Sequence, residues 1–170
     1  PKPQNPKTPS IILNIDTAVQ TASVCLSENE NLLGLKINPS QKDHAAWLHV
    51  AIKELLREKN IALNQLAAIA VSAGPGSYTG LRVGMATAKG LCYALHVPLI
   101  SVSTLQAMAV AALNLATGFI CPMIDARRME VFTAVYNWSV TIIAPPSNCI
   151  IDQNFFHNLL DQHEILFCGN

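Results

Sequence analysis

The chain has 170 residues, 51% of them hydrophobic and only 13% charged. That excludes a disordered chain, allows one ample domain or two small lobes, and leaves so few charges that some apolar surface is expected to be kept for a partner. Eleven basic and eleven acidic residues cancel, which argues against a protein that grips nucleic acid by its own basic excess; any RNA contact is expected to come through another subunit.

The opening 1–10 segment holds four prolines, two lysines and no apolar run. It reads as a flexible leader, neither signal peptide nor membrane anchor. Apolar runs at 11–15, 23–27 and 32–37, the last after the polar turn Glu28-Asn29-Glu30-Asn31, predict three consecutive antiparallel strands. From 43 to 59 the period changes. Leu48, Ala51, Ile52, Leu55 and Leu56 fall on one helical face, with Asp43 as the expected N-cap. A strand over 67–72 feeds the glycine-rich turn 74–80 and a helix over 81–96, and a short strand at 99–101 closes this half. Ser103 or Thr104 can cap a helix running to 116. Strands follow at 119–125, 130–136 and 139–144, then a short helix over 154–162 and a strand at 165–168. The Ile15-Asp16 and Ile124-Asp125 strand ends echo each other in a matching order of elements, which points to a duplicated fold.

Cys25, Cys92, Cys121, Cys149 and Cys168 are odd in number and never form CxxC. They are expected to be reduced thiols of a cytoplasmic protein, not a disulfide framework or a zinc site.

The segment Ser72-Ala73-Gly74-Pro75-Gly76-Ser77-Tyr78-Thr79-Gly80-Leu81-Arg82-Val83-Gly84 runs from a strand through glycines and hydroxyls into a helix N-terminus. Free backbone N–H groups and the helix dipole suit such a turn to phosphate. Walker A and Rossmann spacings are both absent. The same residues also serve as a tight connection whose Ser or Thr caps the helix, and both readings stay open. Candidate phosphate or nucleotide contacts are Asp16, Thr17, Gly74, Gly76, Ser77, Thr79, Gly80 and Asp125. The carboxylates there would face magnesium, or else hold turns.

The 81–96 helix is apolar nearly all round, and Gly84, Ala88 and Gly90 are expected to let another backbone approach. Trp47 and Val50 lie beside the core stripe of the 43–59 helix. A partner surface across both helices is expected, carried by Trp47, Val50, Ala51, Arg82, Gly84, Met85, Ala88 and Leu91. A thick core within one chain is the competing reading. On the partner reading, Gly84→Arg is expected to abolish binding and leave the fold soluble. His44 and His49 are five residues apart and do not share a helix face as zinc ligands do. No nucleophile elbow or Cys–His pair is recognisable, so no catalytic or metal-binding residue is assigned.

Ile12-Leu13-Asn14-Ile15-Asp16-Thr17-Ala18, Ser23-Val24-Cys25-Leu26, His44, the 74–84 segment, Ser101-Val102-Ser103-Thr104-Leu105 and Ile124-Asp125-Ala126-Arg127 with Glu130-Val131 resemble, in this order, the TsaB (YeaZ) family of the glycoprotease-like group. The resemblance implies an α/β, duplicated two-lobe sugar-kinase/Hsp70/actin-like fold of the ribonuclease H-like class with mixed sheets. The first lobe would span 11–102 and an incomplete second lobe 103–170, with a short hairpin around Tyr136-Asn137-Trp138. It implies a non-catalytic, cytoplasmic subunit that pairs with a TsaD-like paralogue through the two first-lobe helices. A TsaE-like ATPase would join, homodimers would form without the partner, and tRNA would be met only indirectly. ATP, ADP and magnesium are expected only at a shared or degenerate site. The alternatives are a stand-alone metallopeptidase, as the group's historical name suggests, and a nucleotide-binding ATPase.

Overall fold

Alternation with period two places Ile11, Leu13 and Ile15 of strand β1 (Ile11–Asp16) on one face with Ala22, Val24 and Leu26 of β2 (Ala22–Glu28). In the computed structural model, which describes residues 10–40, 43–152 and 155–169, these six side chains are buried. Strand β3 (Asn31–Asn38) follows after a turn in which Asn29 and Glu30 take positive φ. Helix α1 (His44–Glu58) buries Leu48, Ala51, Ile52, Leu55 and Leu56, the stripe that the sequence period predicts. Asp43 stands at its N-cap position but makes no side-chain cap bond there. Instead the buried ring of His44, the first helical residue, lies 3.2 Å from the Gln20 carbonyl and ties the helix start to the β1–β2 turn.

Strand β4 (Leu66–Ser72), helix α2 (Tyr78–Leu95) and strand β5 (Leu99–Val102) complete the first sheet, in the order β3-β2-β1-β4-β5. β1 pairs antiparallel with β2 and parallel with β4. The helices pack on the sheet side that carries Leu13, Ile15, Val24, Leu26, Ile69 and Val71. Burying each large aliphatic side chain there contributes about 1.5–3 kcal/mol. α2 ends where His96 takes a left-handed conformation and Pro98 follows.

Helix α3 (Thr104–Ala112) is capped by Ser103, whose Oγ accepts from Gln106 N. It passes into a 3-10 turn at Leu113–Leu115 rather than continuing as α-helix to 116. Strands β6 (Phe119–Arg127), β7 (Glu130–Tyr136), β8 (Ile142–Ile150) and β9 (Ile165–Gly169) form the second sheet, ordered β8-β7-β6-β9. β8 starts and ends later than the 139–144 run suggests. Residues 137–140 are occupied by a turn in which Asn137 Oδ1 accepts from Ser139 N and Thr141 N. The expected 154–162 helix is one turn, α4 (His157–Leu160); Asn154 lies outside the described residues. The register of β7 on β8 slips on both sides of the Val135–Ala144 pair, and Pro145 and Pro146 lie in the first slip, between Ala144 and Ser147.

The second sheet repeats the first. β6, β7, β8 and β9 stand in the order and directions of β1, β2, β3 and β4, with no counterpart of β5 among the described residues. The result is the α/β fold of two mixed sheets that the resemblance implies, with an incomplete second lobe. By contacts the chain forms two compact units. One holds the residues up to Ala73 with Ser77–Val102, the other Gly74–Gly76 with the residues from Ser103 on. Among the described residues no helix is long and apolar enough to cross a membrane.

Candidate partner-binding site and strand-end loop

At the end of β1 the structure holds several of the candidate phosphate contacts to local tasks. Asp16 Oδ1 accepts from Ala18 N at 3.0 Å and closes a turn. Thr17, buried, donates its hydroxyl to the Gly80 carbonyl at 2.7 Å. Ser77 N donates to the Ala18 carbonyl, and Ser77 Oγ caps α2 by accepting from Gly80 N. Thr79 is exposed on the first turn of α2. Gly74 and Gly76 belong to the second unit, where Gly74 O accepts from Thr104 N at 2.9 Å. Asp125 Oδ1 accepts from Arg127 N at 2.7 Å, the turn that Asp16 makes in the first repeat. Within the first unit Thr17 is thus turned inward, Ser77 caps a helix and Asp16 closes a turn. No step is assigned to a nucleotide.

Gly80 and Gly84 show why glycine is needed on this side of α2. A Cβ on Gly80 would collide with the Thr17 carbonyl oxygen, and one on Gly84 with Thr17 Oγ1. The Gly84 Cβ would also lie 3.5 Å from Val71 Cγ2. What comes close to Gly84 is thus the side chains of Thr17, Val71 and Ile15 in its own lobe, not the backbone of a partner. Ala51, Gly84 and Ala88 of the expected partner set are inside the lobe. Gly84→Arg would therefore break the first lobe instead of selectively blocking a partner.

The rest of the set divides again. Trp47, Met85 and Leu91 are half-buried against the core, whereas Val50 and Arg82 are exposed. Arg82 lays its guanidinium 4.3 Å from the Tyr78 ring centroid. Sequence reasoning missed the outermost side chains, among them Tyr93, 84% exposed, and the exposed His49, Lys53, Ala86, Lys89 and Gly90. The helical period holds the signal that finds them. Counting three or four residues from Val50 reaches Ala46 and Lys53, and from Arg82 reaches Ala86, Lys89 and Tyr93.

Between the two helices runs an apolar groove. One stretch, of about 430 Å³, is lined by His49, Ile52, Lys53, Leu56, Ile61, Leu63 and Leu91. A second, of about 350 Å³, is lined by His49, Ala86, Thr87, Gly90 and Leu91. Both share His49 and Leu91, so they lie next to each other along the helix pair.

Four of the five thiols are disfavoured as thiolates by burial. Burial pushes those of Cys25, Cys92 and Cys168 above the ordinary range, and that of Cys121 up to about 11. Among the described residues no three His, Cys, Asp or Glu side chains gather as a metal site.

A two-lobe α/β chain of this strand order defines a class, and comparison with known proteins narrows it. The family profile described as "TsaD: tRNA N6-adenosine threonylcarbamoyltransferase" matches residues 32–153, well over half of the chain. The tRNA threonylcarbamoyladenosine biosynthesis protein TsaB of Bacillus subtilis is 34% identical over 84% of this chain and 61% of its own. The Escherichia coli protein of the same name is 36% identical over 74% of this chain and 54% of its own. The structure of YeaZ from Pseudomonas aeruginosa superposes with a TM-score of 0.77 at 28% identity, covering 85% of this chain and 69% of that one. The chain belongs to the TsaB (YeaZ) family. It spans just over half to three-fifths of the length of these curated relatives.

Proposed function

We propose that this chain is a non-catalytic subunit that pairs, through the outward side of α1 and α2, with a TsaD-like enzyme forming N6-threonylcarbamoyladenosine at position 37 of tRNA. A TsaE-like ATPase joins the pair. One observation carries the reading: both helices bury one side on their own sheet and still leave a mainly apolar groove between them, with Val50 and Tyr93 in the open. A helix whose second side is also apolar has a use for it beyond its own core. The names of the relatives supply the pathway. The zero net charge fits a chain that leaves tRNA to its partner.

The test is size-exclusion chromatography of this chain with the TsaD-like protein of the same organism, followed by reconstitution of tRNA modification with the TsaE-like ATPase. A shifted complex and modification that requires all three proteins is expected. Two separate peaks, together with modification that proceeds without this chain, would overturn the reading.

A further inference from the structure

The first sheet ends on two outer strands that differ in length, β5 with four residues and β3 with eight. After a register slip that leaves Leu33 unpaired, β3 runs regularly on β2 from Gly34 to Asn38. Period two divides its side chains. Leu32, Leu35 and Ile37 stand opposite Ser27, Cys25 and Ser23, on the sheet side away from the helices. They are 62%, 47% and 56% exposed. Gly34 and Lys36 are on the other side. A Cβ on Gly34 would run into the Leu55 and Lys59 side chains. Lys36 is clamped to α1, its Nζ 3.1 Å from Glu54 Oε2 and 2.8 Å from Glu58 Oε1. A lysine on an outer strand ordinarily keeps other strands away. This one is drawn toward its own helix and matched by two carboxylates, so the strand is left long, apolar on one side and without a free charge of its own.

We infer that β3 is a self-association edge: a second copy of this chain pairs its own β3 antiparallel to it, across a two-fold axis at Lys36, and joins two five-stranded sheets into one. The axis stands perpendicular to the sheet, so every side chain keeps its side. Leu35 of each copy then faces Ile37 of the other, an aliphatic pair formed twice, and Gly34 faces Asn38. The two Lys36 side chains come opposite each other on the helix side, where free like charges would oppose pairing. The clamp removes that cost, because each ammonium is already held by Glu54 and Glu58 of its own chain. A strand from any other protein would need the same alternation, apolar away from the helices and small or neutralised toward them. β3 itself meets that need, and a two-fold pairing closes at two copies. The regular stretch from Gly34 to Asn38 is short, so the area covered is small beside that of a stable interface, and the dimer is weak and forms at high concentration. This does not rest on the pairing with an enzyme proposed above.

Sedimentation velocity of the full chain over a concentration series tests this, with hydrogen exchange at the lowest and highest concentrations and circular dichroism melts of every variant. The wild type is expected to pass from monomer to dimer, and amides within 34–38 to gain protection as it does. Leu35→Lys combined with Ile37→Lys, both at exposed positions, is expected to weaken the dimer at least about 10-fold and to melt as the parent does. Glu54→Gln combined with Glu58→Gln frees Lys36 and is expected to weaken the dimer by a smaller factor, roughly 3-fold, which added salt restores. The series is repeated with Tyr93→Glu, which places a charge on the outer side of α2, and the β3 dimer is expected to persist there. A chain that stays monomeric throughout, or a dimer that forms without protection at 34–38, overturns the inference. So does a dimer unaffected by the lysine pair. A dimer that Tyr93→Glu abolishes and the lysine pair leaves intact overturns it in favour of contact through the helices. A glutamine pair without effect removes the axis at Lys36, and the inference with it.

Discussion

The two lobes repeat one strand order and fill it with different chemistry. In the first, five strands are covered by two long helices, and the covered side is a continuous aliphatic core. In the second, four strands are joined by α3, which contacts β6, β7 and β9, and by the single turn of α4. Its interior includes polar pairs such as Thr133 Oγ1, which donates to the Pro122 carbonyl at 2.9 Å and sits 3.1 Å from Cys121 Sγ. Both repeats close the central strand with an aspartate turn, Asp16 and Asp125. Only the first follows that aspartate with a hydroxyl, Thr17, reaching into a helix; Ala126 takes the place in the second. A shared topology fixes where a strand must turn. What docks at the turn is decided by one side chain.

The comparison can be broken at its strongest point first. Gly84→Arg would force a long charged side chain into the contact with Thr17, Val71 and Ile15. A loss beyond about 4 kcal/mol is expected for such an insertion. Hydrogen exchange checks it: amides of β1, β4 and α2 should lose protection while those of β6 and β7 keep theirs. Equal loss in both sheets would mean that the lobes unfold as one unit. A smaller effect comes from Thr17→Val, which removes a buried donor from the Gly80 carbonyl. Urea unfolding of the first lobe should show a cost of about 1–2 kcal/mol.

The smallest effect concerns the Lys36 clamp of the first lobe; in the second lobe the exposed His157 and Asp161 side chains lie 3.6 Å apart. The hydrogen bond from Lys36 holds the Glu58 carboxyl below its usual range, and the bond to Glu58 raises the Lys36 ammonium above its own. A depressed carboxylate gives stability that is present above its unfolded value and lost as pH falls through the folded one. A raised ammonium gives stability that is present below its unfolded value and lost as pH rises through the folded one. Lys36→Met should therefore flatten the acid limb of the first lobe's melting profile slightly, since exposed pairs contribute little. An unchanged acid limb would show that the clamp serves only to place the glutamates.

Much of this was legible in the sequence because it depends on period. The α1 stripe from Leu48 to Leu56, the alternation of β1 and β2 and the Ser77 and Ser103 caps follow from local rules. The β8 bounds did not, because the Asn137 turn displaces the strand and no period marks where it starts. Nor did the side to which Gly84 faces. A helix apolar all round gives no phase, and only the contact with Thr17 fixes which residues look inward. The cations of the outer side were visible as letters. That the two glutamates of α1 are withdrawn from it depends on Lys36, eighteen residues before Glu54 and on another element.

Pro145 and Pro146 stand in β8, the outermost strand of the second sheet. A proline has no N–H to offer, and two in succession interrupt any ladder that a further strand might extend. β8 also exposes Ile142, Ile143 and Ile150, an apolar composition that would otherwise template pairing between chains. The two prolines thus act as a guard against aggregation, keeping an exposed, sticky border from growing into a stacked, fibre-like sheet.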